Sequence, residues 1–499
     1  MGMASMMGQW ARRGEDAALV IDEQDGEVLA LSKNADGFGL ARWAPAAEWA
    51  PDRPATEREL DLGMRHQALR SVERHAKRFV EASAPFVPGI SKIPPSGKVV
   101  GAPEVRMMTE AAMDCWLTAG RFADRFEMRL AARMGASRSL AVNSGSSANL
   151  AALSALTSPK LGSRRLLPGD EVVTAAAGFP TTINPILQNG LMPVLVDSRL
   201  SDANIDPDQV EAAIGPRTKA IMAAHTLGNP MDMRRLREIA DKRGLWLIED
   251  CCDALGSTLD GKLCGSFGDL GTLSFYPAHH ITMGEGGAVF GRDLELMRLV
   301  ESFRDWGRDC YCAPGKDNTC GKRFCWKMGD LPEGYDHKYT YTHAGYNLKI
   351  TDMQAAVGLA QLDRLDGFIQ ARRDNHAKLS KRLGELGFGQ FGDIQSPIEG
   401  ADPSWFGFMV VLREDCGATR KDVVEYLEEK GVGTRLLFAG NVVRQPYFKG
   451  REARIPFPLV NADALMNRAF WIACWPGLDD ERIEHMAQTL GTFFGLAGF

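Results

Sequence analysis

The sequence predicts an α/β fold in which helices cover a mostly parallel central sheet and a smaller α+β domain ends the chain. Three observations lead to this prediction. The chain has 499 residues, 45% of them hydrophobic and 24% charged, which is enough for two or three domains with large cores. From about residue 140, apolar segments of strand length alternate with segments of helical periodicity. From about residue 350 one long amphipathic stretch predicts a helix that leads into the smaller domain.

The alternating segments predict the central sheet strand by strand. In chain order they are SLAVNSG (strand), SSANLAALSAL (helix), DEVVTAA (strand), PTTINPILQNG (helix), MPVLVDS (strand), TKAIMAAHTLG (strand), DMRRLREIADKRG (helix) and LWLIEDCC (strand). Repetition on this scale is typical of a parallel sheet that is buried on both faces. Ligands of such sheets bind where the strands end at their carboxyl side, so we expect the functional residues there.

Three segments are expected along the chain. Residues 1–64 lack periodicity and include the proline- and charge-rich run WAPAAEWAPDRPATERELD, which predicts a poorly ordered N-terminal extension. Residues 65–360 form the large domain, and their first helical pattern is interrupted once, at Gly120. Residues 361–499 form the small C-terminal domain.

Charge, hydropathy and cysteine usage exclude several classes of function. The net charge is −6, without the basic field that a nucleic-acid partner favours. No apolar run approaches the roughly 20 residues that span a membrane, and the N-terminus does not resemble a signal peptide. We therefore expect a cytoplasmic protein with neither a nucleic acid nor a membrane as partner, in which the ten cysteines do not form disulfides.

Two predicted strand ends carry residues that suit a phosphorylated ring. In NSGSSAN, Gly145 ends a strand while Ser146 and Ser147 open a helix, and the N-terminus of a helix is suited to a phosphate. Either serine can equally be a plain N-cap. In LWLIEDCC, Asp250 ends an apolar strand, where a carboxylate can pair with a protonated ring nitrogen or simply cap a helix.

A third stretch, SFYPAHHITMGEGG, completes this set. Ser274 can add a phosphate contact, and the glycines turn the chain into another strand. Phe179, in AAGFPTT, can offer a flat apolar face to an aromatic ring, although a core position is the more common use of such a residue.

These stretches, in this order, resemble the DegT/DnrJ/EryC1/StrS sugar aminotransferase family, whose pattern is an aspartate followed by Ser-Phe-His-Pro-Thr-Lys-Asn and Gly-Glu-Gly-Gly. The resemblance implies a fold-type I pyridoxal-phosphate (PLP) enzyme and places His279 where the family has its lysine. GYNLKITDMQAAVGLAQL resembles a later motif of the family and implies that Asn347 reaches the phosphate in the partner subunit of a homodimer. At Asp253 the sequence departs from the family, in which many members carry Gln or His near the cofactor hydroxyl.

Histidine at this position changes the expected chemistry. Lysine holds the cofactor aldehyde as a Schiff base and then moves protons, whereas histidine retains only acid–base work. We therefore expect His279 to act as a base on a non-covalently held amine cofactor, pyridoxamine phosphate (PMP), and the reaction to be dehydration. Tyr276 can hydrogen-bond nearby or pack, and His280 is expected to be structural.

Four cysteines form a pattern of their own, Cys252-x57-Cys310-x-Cys312-x7-Cys320. Four thiolates suit a [2Fe–2S] cluster, and a structural zinc site or unliganded cysteines remain alternatives. Zinc sites more often use Cys-x2-Cys, which is absent here. Cys252 lies at most about 7 Å from Asp250 between Cα atoms, so a metal on it would sit near the cofactor, as an electron donor requires. Cys251 could replace Cys252 as the ligand.

Further stretches, among them IEDCCDALGS, ESFRDWGRDCYCAPG, GYDHKYTY and GTRLLFAGNVVRQPYF, resemble the iron–sulfur 3-dehydrases of this family from about residue 70 onward. The resemblance implies C3 deoxygenation of a nucleotide-linked 4-keto-6-deoxyhexose, with CDP-4-keto-6-deoxyglucose favoured, in 3,6-dideoxyhexose and lipopolysaccharide O-antigen synthesis. It also implies an NADH-dependent flavin iron–sulfur reductase as partner. Arg435 is a candidate diphosphate contact or a structural ion-pair residue.

Two other enzyme activities remain possible for this sequence. One is a glutamate-dependent PMP dehydratase without a cluster, and the other is a dTDP-4-keto-2,6-dideoxyhexose 3-dehydrase of a natural-product pathway. A true aminotransferase is disfavoured because the lysine is missing, and a non-catalytic sugar-nucleotide-binding relative is disfavoured by the intact Asp250 and the cysteines.

Overall fold

The computed structural model describes residues 6–24, 27–34, 37, 38, 41–81 and 85–496. The chain divides into two compact units, one within residues 1–84 and 100–117 and the other within residues 85–99 and 118–499. No helix among these described residues is long and apolar enough to cross a membrane.

The described part of the first unit contains an antiparallel sheet in the order β4-β3-β2-β1-β6, with β5 also paired to β3, together with two α-helices. The elements are β1 Gln9–Arg13, β2 Asp16–Gln24, β3 Glu27–Asn34, β4 Gly37–Phe38, β5 Arg42–Pro45, β6 Ala50–Pro54, α1 Glu57–His75 and α2 Ala102–Met113.

These strands lie where we predicted a poorly ordered extension. Along β2, Leu19 and Ile21 pack towards Leu60 of α1, while Ala18 and Val20 join a separate apolar cluster on the other face of the sheet. This alternation has the period of a strand, so residues that read as irregular form a sheet with two apolar faces. The boundaries that we placed at residues 64 and 360 stay predictions.

The second unit is built on a seven-stranded sheet in the order β7-β15-β14-β11-β10-β8-β9. Five neighbouring strands of this order run parallel to one another, namely β14, β11, β10, β8 and β9. β15 is antiparallel to both of its neighbours, β14 and β7. The strands are β7 Arg138–Val142, β8 Glu171–Ala175, β9 Met192–Val196, β10 Thr218–Ala224, β11 Trp246–Asp250, β12 Thr258–Leu259, β13 Lys262–Leu263, β14 Leu270–Ser274 and β15 Gly287–Gly291, of which β12 and β13 belong to a small separate sheet. The predicted mostly parallel sheet is confirmed.

The helices of the second unit surround this sheet and continue into the small domain. They are α3 Arg121–Met134, α4 Gly145–Ala155, α5 Pro180–Gln188, α6 Pro207–Ala213, α7 Met233–Arg243, α8 Leu294–Arg304, α9 Asp352–Leu362, α10 Leu365–Glu385, α11 Arg420–Glu429, α12 Val460–Arg468 and α13 Asp480–Phe493. Our prediction of a single long helix from residue 351 is wrong, because the structure has two separate helices there, α9 and α10. At the break, the N–H of Arg364 bonds the carbonyl of Gln361, three residues back, which interrupts the α-helical ladder.

The C-terminal part is α+β, as predicted. Its antiparallel sheet has the order β16-β18-β20-β19, and β17 pairs with β12 instead. These strands are β16 Gly392–Ile394, β17 Ala401–Asp402, β18 Phe408–Leu412, β19 Thr434–Leu436 and β20 Ala469–Ile472.

One buried carboxylate ties two distant helices of the second unit together. Asp352, the first residue of α9, is 1% exposed and accepts hydrogen bonds from the backbone N–H groups of Gly120, Phe122 and Ala123. These N–H groups belong to the first turn of α3, where no partner exists within the helix. The side chain of Asp352 therefore caps α3 from a distance of more than 200 residues in sequence.

We expect Asp352→Ala to lower the free energy of unfolding by about 1–3 kcal/mol, because three buried donors lose their acceptor. The shift of the urea-unfolding midpoint measures this change. Asp366→Ala is the matched control, since this carboxylate is exposed and pairs only with Arg133 at the surface, and its effect should stay within about 0.5 kcal/mol. Equal losses in both variants would contradict the capping role.

Candidate active site

A cavity of about 1000 Å³ opens at the carboxyl ends of the parallel strands of the second unit. It brings together ten of the residues singled out in the sequence: Gly145, Ser146, Phe179, Asp250, Cys252, Asp253, Ser274, Tyr276, His279 and Arg435. Segments of the small domain, including Phe406 and Trp471, form the opposite wall. No lysine is among the described residues that line it.

Asp250 ends β11 and is buried, with only 5% of its surface exposed. Its Oδ2 accepts from Asn149 Nδ2 and Thr182 Oγ1, each at 2.7 Å, and its Oδ1 accepts from the backbone N–H of Cys252 at 3.1 Å. Thr272 Oγ1 in turn donates to Asn149 Oδ1 at 2.6 Å. The carboxylate is therefore fixed in orientation at a strand end and is suited to hold a protonated ring nitrogen.

Sequence reasoning missed the side chains that orient Asp250. Asn149 stands in the stretch NSGSSAN, one helical turn after Gly145, so its position facing the strand ends was readable from helical periodicity. Thr182 and Thr272 gave no comparable signal, because a threonine in a helix or strand is common without any such role.

The N-terminus of α4 forms the end of the cavity that suits a phosphate. Ser144 is the N-cap and accepts from the backbone N–H of Ser147 at 3.1 Å, so this cap is neither Ser146 nor Ser147. Ser146 Oγ lies 3.0 Å from Thr181 Oγ1 at the cavity wall. Ser147 is thus used inside the helix cap, whereas Ser146 faces the cavity.

Gly145 leaves room where the chain passes closest to the neighbouring strand. A Cβ there would lie 2.5 Å from Ser274 Cβ and 2.9 Å from Cys252 Sγ. Only glycine fits this approach, which brings the α4 N-terminus, Ser274 and Cys252 to one place. Backbone N–H groups at a helix N-terminus with a hydroxyl beside them make an anion site.

Two aromatic side chains stand half-exposed at the cavity. Phe179 is 50% exposed and packs edge-to-face on Phe438, with ring centroids 5.6 Å apart. Tyr276 is 51% exposed. Both keep free surface that a planar ligand can cover, which agrees better with a ligand-facing position for Phe179 than with a core position.

His279 lies in the cavity beside Asp253, with Nδ1 3.4 Å from Asp253 Oδ1. Burial raises the pKa of Asp253 to about 8, with the nearby Asp250 adding to the effect. Burial also lowers the pKa of His279 to about 3, and the positive charge of Arg372 lowers it further. Both groups are therefore neutral near neutral pH. The imidazole is in the unprotonated form that a base requires, while burial opposes its protonation.

His280 points away from this pair. It is 3% exposed, and its Nε2 lies 2.7 Å from the carbonyl oxygen of Ser404, which can only accept. Nε2 therefore carries the proton and anchors the turn to the segment before β18, in agreement with the structural role that we expected.

The cysteines are divided between two places. Cys252 faces the large cavity, whereas Cys310 lines a separate polar cavity of about 160 Å³. The sulfurs of Cys310, Cys312 and Cys320 each accept one backbone N–H at 3.4 Å, from Cys312, Thr319 and Lys322 respectively. N–H donors of this kind can stabilise a thiolate, and the cluster predicted for these cysteines stays a prediction.

A second group of possible ligands lies beside β11, and one of its members, His225, lines the large cavity. Within the described residues, one set of three His, Cys, Asp or Glu side chains has its ligand atoms all within 4.8 Å of one another. It consists of His225, Glu249 and Cys251. His225 Nδ1 accepts the backbone N–H of Met231, which leaves Nε2 protonated and donating to Glu249. A protonated nitrogen cannot bind a metal, so this cluster is structural. Cys251 is fully buried in this cluster, whereas Cys252 is only partly buried.

Two predicted residues stand apart from the central contacts. Asn347 does not line the cavity of its own chain, and its Oδ1 accepts from Lys349 Nζ at 2.7 Å. Its predicted role in a partner subunit stays a prediction. Arg435 lies on β19 at the cavity wall and donates to the carbonyl of Thr434, and it forms no ion pair with the described carboxylates.

Comparison with known proteins places this architecture in a family. A model of the DegT/DnrJ/EryC1/StrS aminotransferase family matches residues 99–491. The chain is 56% identical over 433 residues to the lipopolysaccharide biosynthesis protein RfbH of Salmonella typhimurium, covering 87% of this chain and 98% of that protein. It is 50% identical over 442 residues to the dTDP-4-dehydro-2,6-dideoxy-D-glucose 3-dehydratase of Saccharopolyspora spinosa, covering 89% and 95%.

A solved structure supports the same assignment. The GDP-4-keto-6-deoxymannose-3-dehydratase with a trapped PLP–glutamate geminal diamine superposes with a TM-score of 0.72 at 28% identity, covering 80% of this chain and 100% of that one. The predicted fold class, a fold-type I PLP-dependent transferase, is confirmed. The chain belongs to the DegT/DnrJ/EryC1/StrS aminotransferase family.

Proposed function

We propose that this chain is a PMP-dependent 3-dehydratase that removes the C3 hydroxyl of a nucleotide-linked 4-keto-6-deoxyhexose. The observation that carries the proposal is His279 at the position of the family lysine, in a cavity whose described lining contains no lysine. An amine cofactor without a covalent anchor is compatible with this arrangement, whereas amino transfer through a lysine Schiff base is not. The 3-dehydratases among the relatives support the same reaction.

The residues of the cavity fit such a cofactor. When bound, it supplies an amine that condenses with the sugar ketone and a ring that accepts electrons. Asp250 would hold the proton on the ring nitrogen, the N-terminus of α4 with Ser274 would bind the phosphate, and Phe179 would cover one ring face. His279 would take a proton as a general base, and the apolar contact with Phe406 would keep water from its imidazole.

We propose further that Cys252, Cys310, Cys312 and Cys320 hold a [2Fe–2S] cluster that supplies single electrons. The N–H contacts to the three loop sulfurs support this, and Cys252 is the ligand adjacent to Asp250. Cys251 is disfavoured as the fourth ligand because its thiol is fully buried and donates to the backbone carbonyl of Glu249. Electrons would come from an NADH-dependent flavin iron–sulfur reductase, and a homodimer would place Asn347 in the partner's cavity.

The substrate is proposed to be CDP-4-keto-6-deoxyglucose, as for a CDP-6-deoxy-L-threo-D-glycero-4-hexulose-3-dehydrase in lipopolysaccharide O-antigen synthesis. The similarity to a lipopolysaccharide biosynthesis protein supports this choice. Arg435 is the proposed diphosphate contact, because its guanidinium lies at the cavity wall and pairs with none of the described carboxylates. The dTDP-4-keto-2,6-dideoxyhexose 3-dehydrase is a second candidate, which the 50% identity to such an enzyme favours.

A cluster-free dehydratase that regenerates its amine from glutamate is the remaining alternative. The trapped PLP–glutamate adduct of the structural relative favours it. It shares His279 and Asp250 but has no use for the three loop cysteines, so metal content separates the two.

We expect the protein purified without oxygen to contain about two irons and two labile sulfides per chain. Elemental analysis and the absorption spectrum measure both. Cys312→Ser should lose the cluster, because one of four thiolates is removed, and Cys325→Ser should keep it, since this exposed cysteine of the same loop is outside the proposed set. Zinc, or no metal after reconstitution, would refute the cluster and favour the glutamate-dependent enzyme.

Removing the base should separate chemistry from cofactor binding. We expect His279→Asn to lower the rate of C3 dehydration by about 10²–10⁴-fold, since a general base contributes that much, while PMP affinity changes little. Mass spectrometry of the CDP- and dTDP-linked 4-keto sugars measures water loss, and fluorescence titration measures affinity. His485→Asn, at the surface of α13, is the control. An unchanged rate would exclude His279 as the base.

A change at Asp250, the proposed partner of the ring nitrogen, should weaken cofactor binding. Asp250→Asn keeps the shape of the side chain but removes the charge that a protonated ring requires, so PMP should bind at least about tenfold more weakly. Fluorescence titration of the purified protein measures this change. Asp260→Asn, an exposed carboxylate after β12, is the matched control. Equal PMP affinities of the Asp250 variant and the original protein would show that Asp250 does not bind the cofactor.

A further inference from the structure

Arg372, on α10, is a cation buried without any exposed surface directly behind the reactive turn. Among the described residues, the hydrogen-bond partners of its two terminal nitrogens, Nη1 and Nη2, are all backbone carbonyl oxygens. A buried charge is expensive unless its surroundings compensate it, and here carbonyl dipoles do so instead of a carboxylate. Burial lowers the pKa of Arg372 to about 10, which reflects this cost.

The four carbonyls belong to two separate segments. Nη2 donates to Ala278 and His279 at 3.5 and 3.2 Å, and Nη1 donates to Trp405 and Phe406, both at 3.1 Å. The guanidinium is planar and rigid, so the two segments are held in a fixed relation by a single group. One segment is the turn that carries His279, and the other leads into β18.

Both segments act on the same imidazole. The backbone of His279 is bound directly by Arg372, and the ring of His279 packs against Phe406 at a centroid distance of 5.1 Å and an angle of 40°. His280 is anchored to the same region through Ser404. The place of the imidazole in the cavity therefore depends on how these two segments are joined. Asp253, 3.4 Å from Nδ1, is the polar side chain beside the ring.

We infer that Arg372 is a positioning residue: its guanidinium joins the 278–279 turn to the 405–406 segment and so aims the side chain at position 279 at the cofactor. The inference rests on the proposed function in that position 279 faces the reactive carbon of the cofactor. It explains why an unpaired cation occupies a place in the core that an apolar side chain of similar size would fill.

A lysine substituted at position 279 makes the position of this side chain relative to the cofactor measurable. In His279→Lys, the new amine can condense with the aldehyde of added pyridoxal phosphate, releasing water, and borohydride then supplies a hydride that fixes the imine as a stable secondary amine. Peptide mass spectrometry measures the rate of this modification at position 279. The rate depends on the distance and angle of the amine to the aldehyde, whereas cofactor affinity depends on Asp250 and the phosphate site.

We expect His279→Lys with Arg372→Lys to be modified at least about tenfold more slowly than His279→Lys alone, because a displacement near 1 Å is enough for such a loss. Affinity for pyridoxal phosphate, measured by fluorescence, should change by less than about twofold. The matched control combines His279→Lys with Arg373→Lys. Arg373 is the neighbouring arginine, which donates to carbonyls of Pro403 and Gly256 but not to the reactive turn, so its rate should equal that of the parent.

Each other result decides against the inference. Equal modification rates with and without Arg372→Lys would overturn it. Failure of both Arg372→Lys and Arg372→Gln to fold, while the Arg373 variant folds, would show a general role in stability and overturn it as well. If His279→Lys alone were not modified, the proposed cofactor site and this inference would fall together, which separates that failure from the others.

Discussion

The site depends on a carboxylate buried at the end of a central strand. Asp250 has lost almost all contact with solvent, and a charge in that place is tolerated only when donors surround it. Asn149, Thr182 and the backbone of Cys252 supply them, and they come from α4, α5 and the loop after β11. The packing of these elements on the sheet thereby fixes the position of this one carboxylate. The same packing brings the α4 N-terminus and Ser274 close enough that Gly145 cannot carry a side chain.

The large sheet and its strand-end residues were predictable because two physical rules agree. Continuous apolar segments between helical ones predict buried parallel strands, and parallel strands present their carboxyl ends together. Asp250, Ser274 and His279 follow directly from these rules and from their motifs. Asn149 was within reach of the same reasoning, since α4 has a regular period.

Other features could not be read from the sequence because the contacts join residues far apart. Arg372 meets the turn at His279 across 93 residues, and Asp352 meets α3 across more than 200. Neither has a local signal: each is one charged residue in an amphipathic helix, a position usually at the surface. The break between α9 and α10 contains neither glycine nor proline. The N-terminal strands do show the alternating pattern of a strand. The proline-rich run that follows them led us to predict an irregular segment instead of a sheet.

Among the described residues no lysine lines the large cavity, and this has a consequence for the stability of the protein as well as for its reaction. A cofactor held there by non-covalent contacts alone, as proposed above, would exchange with the free pool, and its occupancy would follow mass action. Its binding would then add to the stability of the fold in proportion to the logarithm of its concentration, about 2.7 kcal/mol at 100 times the dissociation constant. Folding and vitamin supply would be thermodynamically coupled in this chain, with no covalent bond to retain the cofactor when that supply falls.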